Sequence, residues 1–290
     1  MREFRCDRRL GARLSRRCGD DGTTVKEFGT FGDVHVAIDD EHVATAEIRR
    51  PPNNFFDLDL IDSMVTAIAA LDDEPGCRAI VLCSEGKHFC AGANFTGGGS
   101  LLDESPRNPD GSPRHLYDAA YDLFSTRTPV VAAVQGAAVG GGLGVACFAD
   151  FRVAATEARF TANFARLGFH HGFGLSVTLP RIVGHQRALE LLYTGRRITG
   201  EEAAAIGLAD RLVPLPALRD AAHELAAEIA ASAPLAVVSI RQTMRGDLAG
   251  AVRAATDREK VEQDWLRRTA DWSEGVAAMA ERRPPNFTGT

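Results

Sequence analysis

The stretch AAVGGGLGVACFAD, residues 137–150, places three consecutive glycines between an apolar strand-like run and an apolar helix-like run. A glycine run that leads into a helix exposes backbone N–H groups that have no partner within the helix. Together with the positive end of the helix, those donors favour an anion or an oxygen that gains negative charge. The alternative is that Gly140, Gly141 and Gly142 only permit tight packing of helix against strand. The spacing matches neither G-x-G-x-x-G nor a P-loop, so a nucleotide site is poorly supported.

Strand-like and helix-like runs alternate around this stretch. Three apolar, β-rich runs predict buried strands: CRAIVLCSE (77–85), TPVVAAVQG (128–136) and DFRVAAT (150–156). Earlier, residues 33–50 alternate as two short strands around a turn, and residues 58–73 have helical spacing. Such alternation predicts an α/β fold in which crossover helices join parallel strands.

From about residue 185 the pattern is helix after helix, which predicts an α-helical C-terminal layer. Its clearest helical segments are 216–232, 234–247 and 250–268. Before it, residues 86–115 form a long segment rich in Gly and Pro, which is typical of functional or mobile loops. We expect the start of this segment to be ordered and residues 97–112 to be mobile. Its start, KHFCAGANF (87–95), follows a strand and offers a candidate second N–H donor beside the glycines.

The composition limits the function classes. The 290 residues are 45% hydrophobic, which suffices for one sizeable core. A net charge of −6 argues against nucleic acid as a partner. No apolar run reaches the roughly 18–20 residues of a membrane span, so no membrane partner is expected. The six cysteines form no C-x-x-C pair, which predicts no metal site and fits a reducing, cytoplasmic setting.

The beginning of the chain differs from the rest. Its first 20 residues hold seven arginines against three acids and lack the apolar region of a secretory signal. An Arg-rich organelle-targeting segment is the less favoured alternative, because Glu3 and Asp7 interrupt it. We predict that residues 1–26 are a basic, disordered tail or the product of an over-long gene start.

A set of motifs follows in order along the remaining chain. They are HFCAGAN, RTPVVAAVQGAAVGGGLGVACFADFRVA, ARFTANFARLGF, LPRIVG, LLYTGRRITGEEAAAIGLADRLVP and EGVAAMAERRPPNF. Together they resemble the enoyl-CoA hydratase/isomerase family, also called the crotonase superfamily, over about residues 30 to 287. The resemblance implies a spiral of ββα units over 27–213 and an α-helical trimerisation domain over 214–290. It also implies homotrimers or dimers of trimers, and acyl-CoA ligands in which coenzyme A is part of the substrate rather than a separate cofactor.

In that family two backbone N–H groups hold the thioester carbonyl oxygen as it gains enolate character. The resemblance assigns one of them to Ala93, after the Ala-Gly of the first motif, and the other to Gly141, the middle glycine of the triplet. The physical interpretation of the glycine run and the resemblance therefore predict the same oxyanion hole.

Both glutamates that the hydratases of this family use are absent. The resemblance places them at Gly144 and Phe164, and it places the aspartate of some non-hydratases at Gly172. Glycine and phenylalanine can neither activate water nor deliver a proton, so the two-glutamate mechanism is not expected. Asn94 also stands where many relatives carry aspartate. We predict that these positions border the substrate pocket, with core packing as the alternative for Phe164.

His170 and His171 are the titratable groups that this chain offers in the same loop. Histidine titrates near neutral pH, so either residue is a candidate acid or base. The loop borders the acyl pocket in the family, which favours His171; bonding to backbone or solvent is the alternative for both. Asp150 is instead expected to pair with Arg152 or to cap a turn.

Arginines must supply the cations for the phosphates of coenzyme A, because lysine occurs only three times. The planar guanidinium fork suits phosphate. By resemblance, Arg49 and Arg50 lie where the CoA groove begins, and Ala91 of the first motif also borders CoA. Arg282 and Arg283 belong to a basic C-terminal motif that reaches a neighbouring subunit's CoA in relatives. A solvated charge pair is the alternative for each arginine.

The sequence thus predicts an enzyme that stabilises a thioester enolate through Ala93 and Gly141. Isomerase, hydrolase or other lyase chemistry is favoured over hydration, with His171 or His170 moving the proton. A non-catalytic acyl-CoA-binding protein is the alternative. The absent carboxylates favour binding alone, whereas the histidine pair favours catalysis.

Overall fold

Two β-sheets and a set of helices make up the computed structural model, which describes residues 16–18, 24–94 and 115–290. The strands are β1 (Arg16–Cys18), β2 (Thr24–Phe31), β3 (Val34–Asp39), β4 (Val43–Ile48), β5 (Ala79–Ser84), β6 (Val130–Val134), β7 (Ala137–Val139), β8 (Phe151–Ala155), β9 (Arg159–Thr161), β10 (Arg197–Thr199) and β11 (Arg211–Val213). The helices are α1 (Leu58–Asp72), α2 (Leu116–Phe124), α3 (Gly141–Phe148), α4 (Leu175–Val183), α5 (His185–Thr194), α6 (Gly200–Ala205), α7 (Leu218–Ala230), α8 (Pro234–Arg245), α9 (Leu248–Leu266) and α10 (Ala270–Glu281). The α/β class predicted from the sequence is confirmed.

The larger sheet has eight strands in the order β1-β2-β3-β4-β5-β6-β8-β11. The pairs from β1 to β4 are antiparallel, and every pair from β4 onward is parallel. Helices α1, α2 and α3 lie in the connections between successive parallel strands, which is the crossover arrangement that the alternating pattern predicts. Strands β5 and β6 are buried along their whole length, as expected of continuous apolar runs.

The smaller sheet has the order β10-β9-β7, with β7 and β9 parallel. An isolated parallel bridge joins Cys90 to Ala138 of β7. The bridge holds the segment that follows β5 beside the strand that leads into the three glycines. Two segments that are distant in sequence, each carrying a predicted N–H donor, therefore lie next to each other.

Helix α7 covers one face of the larger sheet, and the main core lies on the other. The buried residues of α7 are mostly alanine, and they pack against Val81, Val131 and Val153 of the parallel strands. Small side chains let the helix approach the sheet closely. Helix α9 lies against α2 and α4, and α10 lies against a 3₁₀ turn at Ala165–Leu167. The predicted helical C-terminal layer is thus present, whereas the domain boundary after residue 213 stays a prediction because α7 packs on the sheet.

Asp150 and Arg152 do not form the pair expected from the sequence. The Asp150 carboxylate binds Arg241 at 2.8 Å and Arg245 at 3.5 Å. Arg152 is only 4% exposed and binds Asp210 at 3.1 Å, just before β11. The expected pair is wrong because both groups find partners in the C-terminal half that lie far away in sequence. Burial lowers the pKa of the Arg245 guanidinium to about 10.

The basic tail predicted over residues 1–26 lies largely outside the described residues, as do residues 97–112 of the long loop. Where the tail is described, Arg16–Cys18 pairs with the first residues of β2. This pairing places Arg16–Cys18 at the edge of the larger sheet, and the disordered tail over residues 1–26 stays a prediction.

No single helix among the described residues is both long enough and apolar enough to cross a bilayer. One bent pair of helical segments, Leu215–Ala230 with Pro234–Arg245, has the required length and composition only when its members are taken together.

Candidate active site

An apolar cavity of about 210 Å³ lies where residues 91–94 meet the glycine triplet. Aromatic side chains make much of its wall: Phe55, Phe56, Phe164, Phe169 and Phe173. The polar side chains that the described residues contribute are Asn94, Tyr117, Asn163 and Gln263. An apolar wall with a few polar groups is typical of a site for a small molecule.

Asn54 helps to position the 90–94 loop, the segment that contains Ala93. Asn54 is fully buried, and its side-chain amide donates to the carbonyl oxygen of His88 at 2.7 Å. Close by, the Phe56 N–H donates to the carbonyl oxygen of Gly92 at 2.9 Å. These two bonds hold the loop through backbone carbonyl groups.

Close backbone contact joins the 90–94 loop to the glycine triplet. The Val139 N–H donates to the carbonyl oxygen of Cys90 at 3.0 Å. A Cβ on Gly142 would lie only 2.2 Å from the same oxygen, so no other residue fits there without displacement. Gly140 has φ +55° and ψ −115°, a conformation that side chains disfavour. Gly142 therefore permits tight packing, as the alternative interpretation of the triplet predicts. Gly140 adopts the backbone conformation that leads the chain into α3.

The N–H groups of Ala93 and Gly141 have no acceptor among the residues that the structure describes. Both residues line the cavity. Gly141 is the first residue of α3, so its N–H has no partner within the helix, and every residue of α3 is buried away from solvent. Buried N–H groups are almost always paired in folded proteins, so these two donors are available to a ligand atom.

Aromatic side chains fill the three positions at which the resemblance places acids. A Cβ on Gly144 would lie 2.7 Å from the ring of Phe173, and a Cβ on Gly172 would lie 1.9 Å from the hydroxyl oxygen of Tyr117. Phe164 lines the cavity and is also packed in the core at 8% exposure, so the two interpretations of this residue do not exclude each other. No carboxylate fits at residue 144 or 172 unless its aromatic neighbour moves.

His170 and His171 stack on each other with ring centroids 4.1 Å apart. Neither belongs to the described residues that line the cavity, although the two residues after them do. His171 Nε2 lies 2.8 Å from Ser176 Oγ, and that hydroxyl donates to Glu259 at 2.6 Å. Burial and the neighbouring His170 lower the pKa of His171 to about 3, so its ring is neutral at neutral pH. The role of either histidine in moving a proton stays a prediction.

Tyr117 and Gln263 line the cavity, yet little in the sequence marks them as site residues. Burial raises the pKa of the Tyr117 phenol well above its ordinary value. Gln263 belongs to a buried stripe of α9 that also contains Val252, Thr256 and Glu259. That stripe has helical spacing and was detectable within the predicted helix 250–268. Tyr117 comes directly after the long loop and has no comparable pattern.

Arg49 and Arg50 follow β4, and each already binds a carboxylate. Arg50 binds the two oxygens of Asp57 at 2.6 Å each, and Asp57 caps the N-terminus of α1. Arg49 binds Glu47 at 2.8 Å and keeps 45% of its side chain exposed. Arg50 therefore stabilises the start of α1, whereas Arg49 retains the exposure that phosphate binding needs. Both CoA assignments stay predictions.

Arg282 and Arg283 lie on the surface after α10. Arg283 binds Glu274 at 2.6 Å, and Arg282 ends the helix with φ +56°. Of the residues assigned to coenzyme A, Ala91 alone lines the cavity that the described residues form. The role of the two C-terminal arginines depends on a neighbouring subunit and stays a prediction.

Comparisons with known proteins agree on one family. The family model for enoyl-CoA hydratase/isomerase matches residues 39–290. The chain therefore belongs to the enoyl-CoA hydratase/isomerase family, and the resemblance carried by its motifs is confirmed.

Individual relatives span nearly the same region. The chain is 35% identical over 258 residues to the probable enoyl-CoA hydratase EchA12 of Mycobacterium tuberculosis, covering 85% of this chain and 89% of that one. It is 32% identical over 256 residues to a putative enoyl-CoA hydratase of Thermus thermophilus, covering 87% and 100%. The crystal structure of an enoyl-CoA hydratase/isomerase from Pseudoalteromonas atlantica superposes with a TM-score of 0.78 at 27% identity, covering 88% of this chain and 100% of that one. The fold expected from the resemblance is thus confirmed.

Gly144→Glu should lower the free energy of unfolding by about 3 kcal/mol or more, because the new side chain overlaps the Phe173 ring and carries a charge into the core. Urea denaturation measures the loss. Ala205→Glu, at an exposed position in α6, is the matched control and should change stability little. In a double-mutant cycle, Phe173→Ala should recover part of the cost of Gly144→Glu. Equal stability of Gly144→Glu and the control would show that the space beside residue 144 can hold a side chain.

Proposed function

We propose that the protein binds acyl-CoA thioesters in the apolar cavity and polarises the thioester carbonyl with the N–H groups of Ala93 and Gly141. The observation that carries the proposal is that both donors line one cavity and lack an acceptor among the described residues. A single carbonyl oxygen between them would satisfy both. The names of the relatives, which are probable and putative enoyl-CoA hydratases, support an acyl-CoA ligand.

Such a pair of donors favours enolate chemistry. When the carbon next to a thioester carbonyl loses a proton, the electron pair of the broken C–H bond forms a C=C bond and negative charge moves to the carbonyl oxygen. Donors that already point at that oxygen stabilise the charge without reorganising, and each is worth about 3 kcal/mol in a dry site. The N-terminus of α3, where Gly141 lies, adds a partial positive charge.

We propose His171 as the group that moves the proton. The Ser176 hydroxyl donates to Glu259, so it accepts from His171 Nε2, which leaves Nδ1 of the imidazole as the free acceptor. Burial leaves the ring neutral at neutral pH, so it has a lone pair for a proton, but the pKa of about 3 also makes it a weaker base than an ordinary histidine. Because Gly144 and Phe164 cannot activate water, we propose isomerase, hydrolase or other lyase chemistry rather than two-carboxylate hydration, and in hydrolysis His171 would have to activate the water.

A second candidate function is acyl-CoA binding without turnover. The observation that favours it is that the described residues contribute neither a carboxylate nor an imidazole to the cavity wall. Tyr117 is the titratable side chain on that part of the wall, and its raised pKa keeps the phenol protonated. A cavity of this kind can bind a thioester even if no side chain removes a proton from the acyl group.

Assays on a panel of acyl-CoA thioesters separate these candidates. The panel contains short and long trans-2-enoyl-CoA, saturated acyl-CoA and 3-enoyl-CoA, and affinity is measured in parallel by calorimetry. We expect acyl-CoA to bind and hydration to be absent or slow, because the two water-activating acids are missing. Turnover of any thioester supports the enzyme, and tight binding without turnover supports the binder. Hydration as fast as in two-glutamate enzymes would contradict the account of Gly144 and Phe164.

Where turnover is found, two variants test the histidine assignment. His171→Ala should reduce kcat by about 10²–10⁴-fold, the usual contribution of a positioned acid or base. His170→Ala is the control, since its ring stacks on His171 but contacts neither Ser176 nor Glu259 among the described bonds. Equal loss in both variants would assign the effect to the stacking instead.

The Ala93 donor can be removed by substitution with proline, whose ring puts a CH₂ group where the N–H was. Ala93→Pro lacks the backbone N–H, whereas the control Ala93→Gly keeps it. In wild type and in Ala93→Gly, we expect the infrared carbonyl band of ¹³C-labelled acyl-CoA to shift to lower frequency on binding. In Ala93→Pro the shift should shrink, and any turnover should fall about 10²–10³-fold. An unchanged band in Ala93→Pro would remove Ala93 from the oxyanion hole.

We propose that the chain forms homotrimers or dimers of trimers through the surface that includes α8. This helix leaves Leu235, Ile240 and Met244 exposed at 85%, 62% and 75%, which is unusual for large apolar side chains on one helix. One buried nitrogen on each of Arg241 and Arg245 has no acceptor in the part of the chain that the structure describes. Sedimentation equilibrium should give a mass of at least three times 31.1 kDa, and Ile240→Glu with Met244→Glu should reduce it. A wild-type monomer would contradict this assembly.

A further inference from the structure

The hydroxyl of Tyr117 is a polar group at the wall of an otherwise largely apolar cavity. Tyr117 lies in the first turn of α2, is 7% exposed and lines the cavity. Its oxygen lies directly against Gly172, where a Cβ would come within 1.9 Å of it. The glycine that stands in place of an acid in this loop therefore makes room for a phenol.

The orientation of Gln263 is fixed beside this hydroxyl. Gln263 is 4% exposed, and its Oε1 accepts a hydrogen bond from Arg267 at 3.0 Å. Its Nε2 donates to the carbonyl oxygen of His170 at 2.9 Å. A flipped amide would lose both bonds, so the group that faces the Tyr117 oxygen is the donor Nε2.

Hydrogen-bond donors lie on one side of the Tyr117 oxygen. A Cβ on Gly172 would lie 1.9 Å from this oxygen and 2.7 Å from Gln263 Nε2, so the donor and the phenol meet at the same glycine. Gln263 and the backbone of Phe173 both act to lower the pKa of the phenol, as groups that donate toward its oxygen do. A phenol has one O–H proton of its own to donate in addition to the bonds that its oxygen accepts. Among the described residues no acceptor for this proton is found, and the side chain borders the cavity. Since burial also keeps the phenol protonated at neutral pH, the cavity presents a hydrogen-bond donor to its occupant.

We propose that Tyr117 is a specificity-determining residue that selects acyl groups carrying an oxygen acceptor, a keto or hydroxyl group on the acyl chain. A plain alkyl chain would leave the buried O–H without a partner, which disfavours its binding. An oxygen on the acyl chain accepts a hydrogen bond from the Tyr117 hydroxyl and removes that penalty. This inference rests on the proposed function, because it takes the cavity to be the acyl site.

A purely structural role for Tyr117 makes a different prediction. If the phenol only tied α2 to the Gly172–Phe173 turn, its loss would weaken the binding of every acyl-CoA alike. A selective role changes the ratio between oxygenated and plain acyl groups. The quantity to measure is therefore the ratio of the affinities for oxygenated and plain acyl groups, and the affinity for a single ligand does not distinguish the two roles.

The experiment is calorimetric titration of the purified protein with butyryl-CoA, acetoacetyl-CoA and 3-hydroxybutyryl-CoA. We expect at least one oxygenated ligand to bind wild type about tenfold more tightly than butyryl-CoA, as one buried hydrogen bond supplies. In Tyr117→Phe this preference should vanish while butyryl-CoA binds at least as well as before. Tyr121→Phe, which removes the same hydroxyl from the same helix outside the cavity wall, should keep the preference. Comparing keto with hydroxyl ligands identifies which oxygen is selected.

Three outcomes overturn the inference. Equal affinities of wild type for plain and oxygenated ligands would do so without any variant, so the test does not depend on how Tyr117→Phe folds. A preference that survives in Tyr117→Phe would assign the selection to another residue. A failure of all three ligands to bind wild type would instead remove the proposed acyl-CoA function, and the inference with it.

Discussion

The contact between the 90–94 loop and the glycine triplet is the constraint on which the site depends. The carbonyl oxygen of Cys90 accepts from Val139 and leaves no space for a side chain on Gly142. This contact brings Ala93 and Gly141 to the wall of one cavity although they are distant in sequence. Because both donors belong to the backbone, their positions need no side chain to be ordered when a ligand binds. Donors fixed in this way are the arrangement that stabilises developing charge most effectively.

The C-terminal helices take part in the same site through buried polar groups of α9. Glu259 accepts from the N–H groups of Gly174 and Ser176 at 2.9 and 3.1 Å, which holds the turn that begins α4. One turn further along α9, Gln263 binds the same loop at His170. The loop that supplies Gly172 and Phe173 to the cavity is therefore held by hydrogen bonds from the helical layer. The cavity is lined by residues from both sides of residue 213, the predicted domain boundary.

The elements that the sequence predicts well are those with a local signal. The buried strands β5, β6 and β8 have apolar runs, and α1, α7 and α9 have helical spacing, so the class, the order and the parallel pairing follow from the residues. The sequence also marks the glycine run before α3 and the small residues at 91–93 as segments that lie at the cavity wall, while their role in an oxyanion hole stays a prediction. The polar partners were not, because Asp150 with Arg241 and Tyr117 with Gly172 meet only after the chain has folded over long distances. Periodicity reports which face of an element is buried, but it does not report which residue lies opposite.

The packing of Phe173 against Gly144 and of Tyr117 against Gly172 has a consequence for how the chemistry of this site can change. In each pair an aromatic ring packs against a glycine. A larger residue in place of the glycine overfills the site, and a smaller residue in place of the ring leaves a cavity. A variant with a carboxylate at residue 144 or 172 therefore needs at least two substitutions. A protein that carries only the first of them is expected to be less stable. The volume of the neighbouring rings therefore limits which residues can occupy positions 144 and 172.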